Sequence, residues 1–231
     1  MKAYAIVMTE DPTSYSCWVN LTESSLRVKN DFKIQLFHAV TPKTVDDIMK
    51  SEKLKWNYPW AGSVIDFASG LTKSAYQTAN PKRRIACALS HYKLWQKSIK
   101  TNEDIMVLEH DATFVLPFRE EIYKIPYDII GINNPLGCTR RARKYYDLIL
   151  DNPSPYQKTP WIDDDMSVPQ GLAGNSAYVI KPAGAKKMVE LVKEFGLWPN
   201  DALMCRQLIS NIGVTRKFYT TIQQSKSTTT L

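Results

Sequence analysis

A run of four apolar residues, Ile105-Met106-Val107-Leu108, sits between Asp104 and the triplet Glu109-His110-Asp111. Its length and β-branched content suit one buried strand. A buried strand that delivers carboxylates at its C-terminal end is unfavourable unless a cation waits there. In open α/β sheets ligands bind outside the carboxyl ends of the strands. Hard divalent cations take oxygen ligands and can bridge carboxylates to phosphates. Glu109 and Asp111 are therefore expected as a metal–diphosphate site, with a solvated strand end carrying two surface acids as the plainer reading. Alternation along a strand would put His110 on the opposite face, packed or facing a ribose.

The flanking segments alternate in type. Ala3–Thr9 reads as a buried strand ending at the turn signal Glu10-Asp11-Pro12, followed by an amphipathic helix over Tyr15–Val28. Phe32–Val40 reads as a second strand, and Thr41-Pro42 as the start of a short helix through Met49. Trp56–Asn80 is an aperiodic loop, long enough to carry function. Arg83–Ile99 is the clearest helix, with Ile85, Leu89 and Tyr92 on one stripe. Beyond the acidic triplet, strands are expected at Tyr127–Ile132, Ala173–Ile180 and Val214–Ile222. Helices are expected at Pro182–Phe195 and from Trp198-Pro199-Asn200-Asp201 through Ile209, with a loop over residues 133–171. The alternation argues for an α/β fold with a mostly parallel sheet and helices on its faces. No internal boundary or repeat stands out in the 231 residues, so one domain over 1–231 is expected, with a frayed tail at 224–231.

Composition narrows the partners. A formal charge of +7 admits an anionic ligand, but the basic residues are scattered and no nucleic-acid motif occurs, so nucleic acid is not expected. No apolar run is long enough to cross a bilayer and no export signal is evident, which leaves peripheral membrane contact open and makes a cytoplasmic protein the expectation, bacterial or in a host cytoplasm. The four cysteines are far apart and form no Cys-x-x-Cys pair. Reduced thiols, with no zinc site, are expected.

Two charged clusters lie in the Pro-rich stretch. Arg140, Arg141, Arg143 and Lys144 suit a diphosphate or an anionic acceptor, or merely a solvated surface. Asp163-Asp164-Asp165 is a rival metal motif without a buried strand to fix it, and Asp164 is an acceptor candidate. Gly171 and Gly174 allow close backbone approach near a strand start and are favoured as part of a sugar pocket.

Three segments in order, RIACALSHYKLWQK (Arg84–Lys97), IMVLEHDA (Ile105–Ala112) and GLAGNSAYVIKPAGA (Gly171–Ala185), resemble glycosyltransferase family 25, which includes lipooligosaccharide-biosynthesis and collagen galactosyltransferases. The chain departs from the family pattern in three places. Glu10-Asp11-Pro12-Thr13 follows the first strand where arginines are usual, Arg84-Ile85-Ala86 replaces Glu-Ile-Gly, and His110 replaces an Asp. The resemblance implies a GT-A-like, Rossmann-type fold, a UDP-sugar donor with galactose first choice, Mn²⁺ or Mg²⁺, inversion at the anomeric carbon, and a glycan or hydroxylated acceptor that could be anionic. It implies donor-binding roles for Thr9, Ser90, His91, His110 and Gly174. Inversion needs a base for the acceptor hydroxyl, and Asp201 is the candidate, its plainer role being a first-turn helix acid. The alternative is a family member that binds glycan or nucleotide sugar without catalysis.

Overall fold

The computed structural model describes residues 1–137 and 141–224. Its elements, in order, are β1 (Lys2–Val7), α1 (Pro12–Arg27), β2 (Ile34–His38), α2 (Val45–Ser51), β3 (Ser63–Asp66), β4 (Leu71–Ser74), α3 (Pro81–Thr101), β5 (Ile105–Glu109), β6 (Ala112–Phe114), β7 (Ile129–Gly131), α4 (Ala142–Asp151), β8 (Tyr156–Lys158), β9 (Ala177–Ile180), α5 (Pro182–Phe195), α6 (Asn200–Leu203), β10 (Ile212–Thr215) and β11 (Thr220–Ile222).

Seven strands form the central sheet in the order β2-β1-β5-β9-β7-β10-β8. β9 pairs antiparallel with both β5 and β7, and β8 antiparallel with β10; the other strands all run one way. Period-2 alternation sorts the strand side chains into two cores. Tyr4, Ile6, Ile105 and Val107 pack on one face with α3 and α5 through Leu89, Tyr92, Met188 and Val192. Ala3, Ala5, Met106 and Leu108 pack on the other with Leu21 of α1. Helices therefore cover both faces of a mostly parallel α/β sheet, as the alternation predicts. Burying each large apolar side chain stabilises by roughly 1.5–3 kcal/mol, so β5, shielded by β1 and β9, is firmly held.

Several boundaries differ from expectation. Asp11 caps α1, its side chain accepting from the Ser14 amide at 2.9 Å, and Pro12 occupies the first turn; the apparent turn signal is a helix start. α2 begins after Thr44, later than Thr41-Pro42 suggested. α6 ends at Leu203 instead of Ile209. The expected strand Val214–Ile222 is two strands in different sheets, because the chain leaves the central sheet after Thr215 and β11 pairs with β6. The long loop at 56–80 contains the β3–β4 hairpin, and the Pro-rich stretch contains α4 and β8. Arg140 of the basic cluster and residues 225–231 of the expected tail lie outside the described residues.

Candidate active site

The strand ends converge on a cavity of about 350 Å³. β1 and β2 contribute Ile6, Met8, Ala39 and Val40 at or just beyond their ends, and β5 contributes Glu109. α3 adds Arg84, Cys87, Ser90 and His91, and Asn175 enters just before β9. This is the carboxyl edge where open α/β sheets bind ligands.

β5 stops at Glu109 and the chain turns through His110 and Asp111 before entering β6. The turn, absent from a straight-strand reading, places His110 beside both acids in the cavity lining instead of on the opposite face. Burial pulls the Glu109 carboxyl upward, but His91's hydrogen bond and the charges of His91, His110 and Arg84 outweigh it and hold Glu109 below its usual value. Asp111, desolvated and facing that charge, is pushed up to about 7. Its Oδ1 is buried with no hydrogen-bond partner among the described residues, as is Oδ1 of Asn175. Unpartnered oxygens beside an ionised carboxylate are the hard donors that Mn²⁺ or Mg²⁺ takes, so these residues fit such an ion. Burial holds His110 below the usual imidazole range against the opposing pull of Glu109 and Asp11.

A chain of hydrogen bonds fixes Glu109 from behind. The Trp95 indole, a donor only, gives its proton to the Tyr178 hydroxyl at 2.8 Å. That hydroxyl lies 2.9 Å from His91 Nδ1 and can donate to it, leaving the proton of a neutral ring on Nε2, 3.3 Å from Glu109 Oε1. Ser90 joins β2 to α3, accepting from the Val40 amide at 2.9 Å and donating to the Ala86 carbonyl at 2.8 Å.

A second cavity of about 330 Å³ is lined by Tyr58, Tyr76, Tyr145, Asp163, Gln170 and the run Gly171–Gly174. Asp201 lines both cavities. Burial raises its pKa, while the Arg84 charge and a hydrogen bond from Tyr76 oppose the rise. The Arg84 guanidinium lies 5.0 Å from the Tyr76 ring centroid, its Nε buried and without a hydrogen-bond partner among the described residues. Gly171 is obligatory in size: a Cβ there would run into the Met204 carbonyl oxygen and come within 3.0 Å of the Asp201 carbonyl.

The remaining candidates scatter. Gly174, with φ of 79°, lines the second cavity and not the first. Thr9 is exposed beyond the first cavity, its Oγ1 3.4 Å from His38 Nδ1. Arg141 and Lys144 both donate to the Ile162 carbonyl, at 2.7 and 2.9 Å, and Arg141 pairs with Asp163 at 3.5 Å. Asp164 is exposed and lines neither cavity, whereas its neighbour Asp163 lines the second. Sequence reasoning passed over Arg84, Tyr76, Cys87 and Asn175 as functional groups. Arg84 had a signal as a departure from the family pattern, and Cys87 and Asn175 lie within the segments that carry the resemblance.

The sequence profile described as glycosyltransferase family 25 (LPS biosynthesis protein) matches residues 21–133, a stretch that includes β2, α3, β5 and the acidic turn. Over these residues, just under half of the chain, the sequence is similar to glycosyltransferase family 25. Asp201 and Gly171–Gly174 lie beyond the matched stretch. No curated protein sequence matches the chain. Among solved structures, mouse xyloside xylosyltransferase 1 in its apo form aligns at 8% identity with TM-score 0.42, covering 91% of this chain and 80% of that one. The galactosyltransferase LgtC, in complex with donor and acceptor sugar analogs, aligns at 9% identity with TM-score 0.41, covering 92% and 72%. The glycosyltransferase GlyE of Streptococcus pneumoniae TIGR4 aligns at 8% identity with TM-score 0.39; 92% of this chain spans 44% of that one. Among the described residues no helix is long and apolar enough to cross a membrane.

Proposed function

We propose that residues 1–231 form one GT-A-like domain that moves a hexose, galactose first choice, from a UDP-sugar to an acceptor hydroxyl with inversion, in a cytoplasm. The observation that carries this reading is the position of Asp201, which lines both the cavity holding Glu109 and Asp111 and the cavity lined by Gly171–Gly174. A donor in the first cavity and an acceptor in the second would meet at that carboxylate.

Glu109 and Asp111 would hold Mn²⁺ or Mg²⁺, which supplies Lewis-acid stabilisation of the leaving diphosphate. Arg84 brings a fixed positive charge to the same cavity. Asp201 takes the acceptor hydroxyl proton as the new glycosidic bond forms, and Tyr76 and Arg84 oppose the rise in its pKa that burial causes. The described lining of the second cavity contains no Lys or Arg, and Arg141 and Lys144 are engaged with the Ile162 carbonyl, which favours an uncharged glycan over an anionic one.

The test is a thermal-shift screen with UDP, GDP, CDP and UDP-hexoses, in Mn²⁺ and in EDTA. A ligand that binds only the folded state raises Tm, so no knowledge of the acceptor is required. A Mn²⁺-dependent shift for uridine nucleotides that is lost in Asp111→Ala is expected. No shift with any nucleotide, alongside retained glycan binding, would replace this reading with that of a binding protein without catalysis.

A further inference from the structure

The Cys87 thiol, the His91 imidazole and the Glu109 carboxylate each present a ligand atom within 4.8 Å of the other two. Cys87 and His91 are one turn apart on α3, so the helix itself sets their spacing, and Glu109 comes from the buried strand β5. All three line the first cavity, which gives an ion a path to them. This donor set differs in kind from Glu109 with Asp111. Thiolate and imidazole suit Zn²⁺, whereas Mn²⁺ and Mg²⁺ prefer oxygen ligands. Three protein ligands with a fourth position open to a cavity is the arrangement of an exchangeable zinc site rather than a closed structural one.

We propose that Cys87, His91 and Glu109 form a Zn²⁺ site that shares Glu109 with the hard-cation site and excludes the hard cation when filled. Binding replaces the Cys87 thiol proton, which leaves to solvent, and forms a zinc–sulfur bond. Nε2 takes the metal as an imidazole that carries its single proton on Nδ1, any other ring proton leaving to solvent. Nδ1 then donates to the Tyr178 hydroxyl, already positioned by Trp95. A histidine ligand whose second nitrogen is held by such a partner is the usual support for a metal-bound imidazole. Asp111 and Asp201 line the same cavity, which also holds Arg84. Sequence spacing conceals the site because the cysteines form no paired motif; Cys87-x₃-His91 becomes a ligand set only when β5 is laid beside α3.

The full chain is titrated with Zn²⁺ against a chromophoric chelator, and separately loaded with Co²⁺ for absorption spectroscopy. Wild type should bind one Zn²⁺, and the Co²⁺ form should show a thiolate-to-cobalt charge-transfer band. Loss of a supporting partner of a metal ligand costs about 10–100-fold in affinity, so Cys87→Ser, which removes a ligand, should lower Zn²⁺ affinity by on the order of 100-fold or more and abolish the band. Asp111→Asn should keep the band while losing Mn²⁺ binding. Absence of Zn²⁺ binding, equal Zn²⁺ affinity in Cys87→Ser, or a Co²⁺ spectrum without the thiolate band overturns the proposal. If Cys87→Ser fails to fold, the wild-type Co²⁺ spectrum decides alone. None of these readings requires transferase activity, so failure of the proposed function would leave them intact.

Discussion

The Tyr76 hydroxyl donates a hydrogen bond to the Asp201 carboxylate, at the junction of the two cavities. Burial disfavours the charge that the bond supports. Asp201→Asn keeps the shape and removes the charge. If Asp201 is the base, transfer falls by roughly 10²–10⁴-fold, the usual worth of general-base catalysis. The same change should raise Tm at neutral pH, because a raised carboxylate pKa destabilises the fold once pH exceeds the unfolded-state value. The Tm gap between variant and wild type should close as pH falls through the raised value. Near-normal turnover in Asp201→Asn would remove this residue from the mechanism.

Tyr76→Phe tests the same pair from the other side. Without the hydroxyl, one of the influences that lowers the Asp201 pKa is gone, so the value rises further. The base form is then populated only at higher pH. The acidic limb of the kcat profile should move to higher pH than in wild type, with activity recovering at alkaline pH. An unmoved limb with uniformly lower kcat would assign Tyr76 a packing role instead.

The sheet and its strongest helices were legible because their signals are local. β5 is a short apolar run, and α3 and α5 carry apolar stripes at helical spacing. The β3–β4 hairpin was hidden because Lys73 occupies an inward position, where a charge breaks the pattern. It is tolerated there by its ion pair with Asp66 at 3.4 Å and by the Trp198 ring, 4.7 Å away. α4 was masked by its basic first turn, although Tyr145 and Ile149, four residues apart, are its buried stripe. At the site, Glu109, Asp111 and Asp201 were candidates from residue type, position and the family resemblance, and all three line the first cavity. The cluster of Arg84 with Tyr76, and that of Cys87 with Glu109, depend on contacts between distant segments that no window of sequence displays.

Asp111→Asn separates the cost of the acidic pair from its use. Burial and the neighbouring Glu109 charge raise Asp111, so the pair is uncomfortable without a cation. Neutralising Asp111 should raise Tm in EDTA and abolish the additional Tm increase produced by Mn²⁺ in wild type. A Mn²⁺ shift that persists in the variant would place the hard cation elsewhere.

Gly171→Ala probes the wall between acceptor and base. The new methyl would meet the Met204 carbonyl oxygen and crowd the Asp201 carbonyl, both of them backbone that cannot rotate away. Gly171 also bridges to Cys205, so the strain passes directly into the segment that carries α6. Overpacking of this kind costs about 1–3 kcal/mol, and a fall in Tm is expected. Displacement of Asp201 by a fraction of an ångström should lower kcat for transfer, since catalysis depends on the reacting groups being held in a near-attack geometry. UDP binding in the first cavity, which Gly171 does not line, should be retained. Loss of UDP binding in a folded Gly171→Ala protein would show that the two cavities are not separate subsites.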